Sequence, residues 1–351
     1  MVVVLVKSNL GKIENVFGIA ATIIGTVIGA GFASGQEILQ FFGRFGISGG
    51  FGILLTVIIM GVFIDKVFRI GSELKTDSYQ EFLRYILKPG WLIIADVAIF
   101  LIMLMLVGVM FAGCGALFAE LKLGYWSGVV ISAVLSLIVL FRDLPGLMRI
   151  NTVVIPLMFL GTIGIVFFTI HSGGKLSEVS GQNRQWVMAA LQFSSYNLVL
   201  SLPVLVSLSR RYARQSLLMI GGWVGAIGLG VISLWIFLGL LSHFQLIRHA
   251  ELPMVVLAKF LGKPVFFGYI LVLWGEMLTT LLANLFGLGK RLETLIRWPY
   301  EWNLILLTGL GIAIGKIGFV NLVAHGYPIY GYLSFVLLVM VMFKPLPGTE
   351  G

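Results

Sequence analysis

The chain has 351 residues, of which 59% are hydrophobic and only 11% charged, and its mean hydropathy is +1.04. Soluble domains carry about 25% charged residues, so this composition excludes a soluble globular protein and describes a polytopic membrane protein. Its one cysteine, Cys114, excludes a disulfide framework and a thiolate metal site, and its net charge of +9 belongs to the cytoplasmic loops of such a protein, not to a nucleic-acid surface.

A spanning helix needs about 20 predominantly apolar residues. Ten segments qualify in chain order: 13–43, 49–69, 91–118, 124–141, 146–171, 185–209, 214–241, 264–289, 302–315 and 318–343. The first is preceded by Met1–Lys7, which lacks the basic region and cleavage site of a signal peptide. Segment 1 also contains Gly25-Thr26-Val27-Ile28-Gly29-Ala30-Gly31-Phe32-Ala33-Ser34-Gly35-Gln36-Glu37. Each glycine costs about 1 kcal/mol relative to alanine in a helix interior, and non-helical backbone at membrane depth survives only where it is buried in protein or lines a watery cavity. Residues 29–35 therefore read as a break between two half-helices that forms a binding site. The alternative is a small-residue packing face, which the Gly-x-Gly spacing fits less well.

Between segments 2 and 3, residues 78–88 alternate apolar and charged at helical spacing, the pattern of an interfacial amphipathic helix. Residues 243–262, which include Pro253, are too polar at their start to span and form an outer loop or helical lid. With the N-terminus in the cytoplasm, 16 of the 24 Lys and Arg residues fall on the cytoplasmic side. This bias puts both termini inside and makes the number of spans even.

Residues 12–171 and 184–343, halves of a single transmembrane domain over 1–351, hold five spans each. An odd number per half inverts the second relative to the first. Segment 6, which opens the second half, has its own polar interior, Gln192-Phe193-Ser194-Ser195-Tyr196-Asn197, followed by Pro203. Proline removes a backbone hydrogen bond and kinks a helix. Interrupted helices at matching positions of two inverted halves point to a secondary-transporter binding site.

A five-plus-five inverted repeat with helices 1 and 6 broken resembles the LeuT-type fold of the amino acid–polyamine–organocation transporter superfamily. More closely, the Gly25–Glu37 stretch resembles the bacterial YkvI-type membrane proteins, and the ten-span length fits nearly the whole chain. The resemblance implies that backbone amides of Gly29, Ala30, Gly31, Phe32, Ala33, Ser34 and Gly35 receive the solute, at the N-terminus of a half-helix over 34–43, where the dipole favours an anion. It further implies that Ser194, Ser195, Tyr196 and Asn197 complete the pocket. In sodium-dependent members, helix 1 carbonyls and a hydroxyl pair on helix 8 hold the ion; here these would be Gly25, Ile28, Thr279 and Thr280. The alternative is that both threonines bond their own helix. The lysine that some proton-coupled relatives place in helix 5 is absent from residues 150–171.

Three acids fall within spans, and intramembrane ionisable groups cost about 2.5–3.5 kcal/mol on insertion scales. Glu276, on the helical face of Thr279, is a coupling group or a member of a buried pair. Glu37 has a candidate partner in Arg44 and, lying at the break, disfavours a second carboxylate there. Asp96, near the cytoplasmic end of segment 3, reads as structural. His171, His243 and His249 lie near outer loops without ligand spacing, while His325 and Asn284 read as packing or cross-helix contacts. No phosphate loop, metal cluster or nucleophile–base arrangement is present, so an enzyme is not indicated and no cofactor is expected beyond coupling Na+ or H+.

The expected protein is an ion-coupled secondary transporter of a small polar, amino-acid-like solute in the bacterial inner membrane, with the lipid bilayer as its surroundings, no nucleic-acid partner and protein partners left open. The other reading is a ligand sensor without net transport, resembling some membrane subunits of spore germinant receptors.

Overall fold

Lipid offers backbone groups no hydrogen-bond partner, so a chain this apolar must satisfy them internally. The computed structural model describes residues 2–76, 78–142, 147–172, 185–212, 214–296 and 298–347, and no strand occurs among them. Lys175, Arg184 and Arg297, and the side chains of Lys7, Lys12 and Arg149, all used in the charge count above, lie outside what is described.

In chain order the first elements are α1 (Val2–Val27), α2 (Ala30–Ala33), α3 (Gln36–Phe41), a 3-10 turn (Gly43–Phe45), α4 (Ser48–Leu74), α5 (Tyr79–Ile86), α6 (Pro89–Glu120), α7 (Tyr125–Phe141) and α8 (Leu147–His171). There follow α9 (Gln185–Arg211), α10 (Gln215–Ser242), α11 (Phe244–Ile247), α12 (Pro253–Phe260), α13 (Lys263–Ile296), α14 (Tyr300–Gly315), α15 (Phe319–Asn321), a π turn (Leu322–Gly326) and α16 (Tyr327–Phe343). Seven described helices are long and apolar enough to cross a membrane; the apolar stretches Glu14–Val27, Tyr125–Phe141 and Tyr300–Gly315 are shorter. The segments at α7 and α14 therefore fall below the usual length.

The expected amphipathic helix is α5. Ser78 caps it by accepting the Glu81 N–H at 3.4 Å, and Phe82, Leu83 and Ile86 are buried on one face. The expected lid is α11 and α12, with Pro253 in the first turn of α12, where its missing N–H is harmless.

Two packing groups emerge. Helices α1, α4, α9 and α10 pack chiefly on one another, and α6, α7, α13 and α14 form a second group; α8 touches α10 and α13, and α16 lies on α9. Glycines on α10 allow the close approach within the first group: a Cβ at Gly221 would stand 2.8 Å from Ile19 Cβ, and one at Gly225 3.1 Å from Ile23 Cβ. The small-residue packing face is thus on α10. At Gly25 and Gly29 a Cβ would meet no atom within 4 Å, so those glycines are not there for packing. Apolar side chains such as Leu54, Ile58, Leu160, Phe267 and Leu271 are exposed, as lipid-facing positions require.

Candidate functional site

The break is real but shorter than expected. The helix stops at Val27, and Ile28 and Gly29 leave it, Gly29 in extended backbone (φ −127°, ψ −169°). Ala30–Ala33 make one helical turn, Ser34 and Gly35 turn the chain again, and α3 follows. Gly35 is left-handed at φ 77°, which glycine adopts without steric cost. Ser34 serves both sides of this second turn: its hydroxyl donates to Gly31 O at 2.8 Å and accepts the Gln36 N–H at 3.2 Å. Of the half-helix expected over 34–43 only α3, six residues long, is α-helical, and the four-residue turn α2 precedes it. The reason is Gly35, whose left-handed backbone breaks the helix again, so few peptide dipoles align in either piece.

Contacts from distant parts of the chain close the break on the lid side. The Tyr269 hydroxyl on α13 donates to Ala33 O at 2.5 Å and lies 3.0 Å from the Thr162 hydroxyl on α8. The Met254 N–H of α12 donates to Ser34 O at 3.0 Å, and the Met254 side chain covers Gly35. Gly25, in α1, and Gly29, in the break, are half-buried, and a Cβ at either would meet no atom within 4 Å.

Glu37 is buried at 6% exposure. Its Oε2 accepts the Tyr196 hydroxyl at 2.5 Å, and its Oε1 lies against Gly31, where any side chain would collide with it. Arg44 is not its partner. The guanidinium sits 4.7 Å from the centre of the Phe45 ring, and burial lowers its pKa. Rings surround the Glu37–Tyr196 pair: Phe41 and Tyr327 lie 5.7 and 5.2 Å from Tyr196, and Phe193 lies 5.6 Å from it.

Helix 6 is not broken, contrary to expectation. It runs as α9 through both the polar cluster and Pro203. The polar side chains turn back on their own helix: Ser194 Oγ donates to Ala190 O (2.7 Å), Ser195 Oγ to Leu191 O (2.6 Å) and Asn197 Nδ2 to Phe193 O (2.9 Å). Such bonds to the carbonyl four residues back are compatible with a continuous helix. Of the four residues nominated there, Tyr196 alone makes a recorded side-chain bond to the break.

On α13, Thr279 Oγ1 donates to Glu276 O at 3.0 Å, and Asn284 Nδ2 to Thr280 O at 2.8 Å. α13 packs on α6, α8 and α2, whereas α1 packs on α10 and α9. Gly25 and Ile28 therefore belong to one packing group and the two threonines to the other. Glu276 is buried at 4% exposure, and its Oε2 has no hydrogen-bond partner among the described residues. It lies two turns beyond Tyr269, about 10 Å along the helix. Asp96 pairs with Arg291, tying α6 to α13. His325 is exposed and bonds Asn321 O at 3.2 Å beside the π turn. No group of three or more His, Cys, Asp or Glu that could hold a metal occurs among the described residues.

Sequence reasoning missed Tyr269, Met254, Tyr327 and Phe193. Tyr269 had one signal, a lone hydroxyl seven residues before Glu276 on the same helical face.

No family model matches the sequence. The chain is 29% identical over 335 residues to the uncharacterised membrane protein YkvI of Bacillus subtilis (strain 168), covering 94% of this chain and 96% of that one. Among solved structures it is similar to MhsT in complex with L-phenylalanine (TM-score 0.65, 15% identity, 92% of this chain and 88% of the other). It is also similar to the inward-facing conformation of Mhp1 (TM-score 0.67, 13% identity, 94% and 76%). The chain is thus similar over nearly its whole length to the YkvI membrane protein, and its fold is that of the LeuT-type transporters.

Proposed function

We propose that the protein is a secondary transporter of a small polar, amino-acid-like solute, working by alternating access in the bacterial cytoplasmic membrane with both termini inside. The observation that carries this reading is the interrupted first helix, whose backbone carbonyls at Ala33 and Ser34 are met by Tyr269 of α13 and Met254 of the lid. A helix in lipid gives up backbone hydrogen bonds only where other groups replace them. Here the replacements come partly from a lid and a neighbouring helix, which in this reading withdraw to open the site.

In this reading the solute is received at Gly29–Gly35 and Tyr196. The group α1, α4, α9 and α10 rocks against α6, α7, α13 and α14, and the two five-helix halves 12–171 and 184–343 form an inverted repeat. Coupling to sodium or protons falls to Glu276, whose Oε2 has no hydrogen-bond partner among the described residues, and to the nearby Thr279 and Thr280, joined by Gly25 and Ile28 when the two groups close together.

The test is thermal stability of the purified protein in detergent against amino acids, amines and small acids, with and without sodium and at two pH values, followed by counterflow of any stabilising compound in proteoliposomes. A ligand at 100 times its Kd stabilises by about 2.7 kcal/mol. Compound-specific stabilisation followed by counterflow is the expected result. Binding without flux would favour the sensor, and no binding by any class would refute the solute site.

A further inference from the structure

We propose that the groove between α8 and α13 binds an anionic phospholipid of the lid-side leaflet, with one acyl chain in the groove and the phosphate at the lysines around the start of α13. Through Tyr269 the bound chain steadies the closure of the break.

The groove has a volume of about 670 Å³, within the usual range of a ligand pocket. Gly161 and Gly164 of α8 and Gly268 of α13 line it, and a Cβ at Gly164 or Gly268 would meet no atom within 4 Å. Small residues in spanning helices usually let backbones approach closely; these two leave a slot instead. Tyr269 is the one lining residue with a polar side chain, and its hydroxyl is already engaged with Ala33 O and stands 3.0 Å from the Thr162 hydroxyl. A polar solute therefore finds no free partner here, whereas hydrocarbon needs none. Leu160, Phe168 and Val265 of the lining are exposed, so the groove opens on the lipid-facing surface. From Lys263 to Val272, which also lines it, α13 rises about 14 Å. That is half of a hydrocarbon core of about 30 Å, the depth of one leaflet's chains.

The charge at the lid-side end fits a lipid phosphate. Lys263 lies in the chain between Leu261 and Val265, both of which line the groove. With Lys122 and Lys259 it lines a second hollow at the same end of α13, together with one acid, Glu120. Glu120 pairs with Lys259 at 3.6 Å, and Glu251 is close enough to feel its charge. Lys122 and Lys263 are exposed and form no ion pair among the described residues, so cations outnumber acids here. Each lysine near a membrane surface raises affinity for anionic headgroups about fivefold. The acyl chain has a direct route to the break. A Cβ at Gly161 would stand 3.4 Å from Tyr269 Cδ2, so the Tyr269 ring lies against the α8 wall, and a chain packed beside it holds the ring where its hydroxyl meets Ala33 O.

The experiment uses the full-length protein in phosphatidylcholine nanodiscs that carry a trace of phosphatidylglycerol or phosphatidylcholine with a photoactivatable diazirine on one acyl chain. Crosslinked peptides are read by mass spectrometry, and glycerol phosphate serves as a competitor with a headgroup but no chains. Phosphatidylglycerol should label residues 157–168 and 261–272 about tenfold more than phosphatidylcholine does, and glycerol phosphate should not compete. Lys263→Gln should reduce that preference about fivefold. Gly164→Leu, which fills the groove, should remove most of the labelling there and leave other lipid-facing helices labelled as before; Gly268→Leu carries this arm if Gly164→Leu does not fold. Phosphatidylglycerol should also slow amide exchange at residues 30–35 in the wild type but not in Tyr269→Phe. Equal labelling by the two lipids overturns the anionic class, and competition by glycerol phosphate replaces the lipid with a free phosphate. Labelling spread evenly over the lipid-facing helices, or unchanged in both leucine variants, overturns the groove site. Exchange that ignores the lipid overturns its link to the break.

Discussion

Replacing Gly35 by alanine probes the closure on the lid side directly. Gly35 has φ 77°, a conformation that costs an L-residue about 1–2 kcal/mol. A Cβ there would also stand 2.8 Å from Met254 Cγ and 3.5 Å from Leu240 Cδ2. Overpacking costs about 1–3 kcal/mol, and the flexible methionine keeps this contribution near the lower end. Gly35→Ala should therefore destabilise by about 2–4 kcal/mol. In a Met254→Ala background the collision is gone and only the backbone strain remains, about 1–2 kcal/mol. The two substitutions should be coupled by at least ~1 kcal/mol in a double-mutant cycle. Thermal unfolding of the four proteins in one detergent reads this out, at on the order of 2 °C per kcal/mol. An equal cost of Gly35→Ala in both backgrounds would refute the seating of the lid on Gly35. A cost below ~0.5 kcal/mol in the wild-type background would refute the left-handed turn itself.

Tyr269→Phe removes the donor to the buried Ala33 carbonyl; stability should fall by about 1–3 kcal/mol, and amide exchange should rise around residues 30–35, whereas unchanged exchange would show that the break is held by other contacts. Asp96→Asn loses the pair with Arg291, but the Asp96 side chain is 47% exposed. The cost should therefore be about 0–1 kcal/mol, shrink with added salt and leave any solute-dependent stabilisation intact; loss of that stabilisation would give Asp96 a functional role. Glu276→Gln should change the sodium or pH dependence of ligand stabilisation without abolishing folding, and an unchanged dependence would remove Glu276 from coupling.

The break was legible because lipid leaves so few reasons for Gly25, Gly29, Gly31 and Gly35 to gather with Gln36 and Glu37 in one span. The same logic misled at segment 6. Ser194, Ser195 and Asn197 look like a second interruption, yet each returns a hydrogen bond to a carbonyl four residues back. Polar content marks a break only when glycine frees the backbone as well, and residues 192–197 contain none. Glycine spacing alone could not separate packing from a break; the packing function went to Gly221 and Gly225 on α10. The roof over the break joins Ser34 to Met254 and Ala33 to Tyr269. Contacts between residues more than 200 positions apart leave no periodic trace, so composition and spacing could not reveal them. The pairing of Glu37 with Tyr196 rather than Arg44, across 159 positions, is also a long-range contact without a periodic trace. Arg44 is nearer in sequence, but it lies in the 3-10 turn Gly43–Phe45 beyond the end of α3, against the Phe45 ring.

The strength of that roof bears on whether it can open. Two hydrogen bonds hold the break on the lid side, Met254 N–H to Ser34 O and Tyr269 O–H to Ala33 O, together about 1–3 kcal/mol net. The Met254 side chain, fully buried, adds about 1.5–3 kcal/mol. The sum, about 3–6 kcal/mol, is the size of gap that keeps an alternative state minor and lets a ligand with differential affinity invert the populations, since moving from 1:99 to 99:1 takes about 5.5 kcal/mol. An uninterrupted α1 would leave Ser34 O and Ala33 O inside a helical ladder, with nothing for the lid to grip. In the transport reading proposed above, interrupting the helix would have two consequences at once: it would expose backbone for binding, and it would make the closure of that backbone weak enough to reverse.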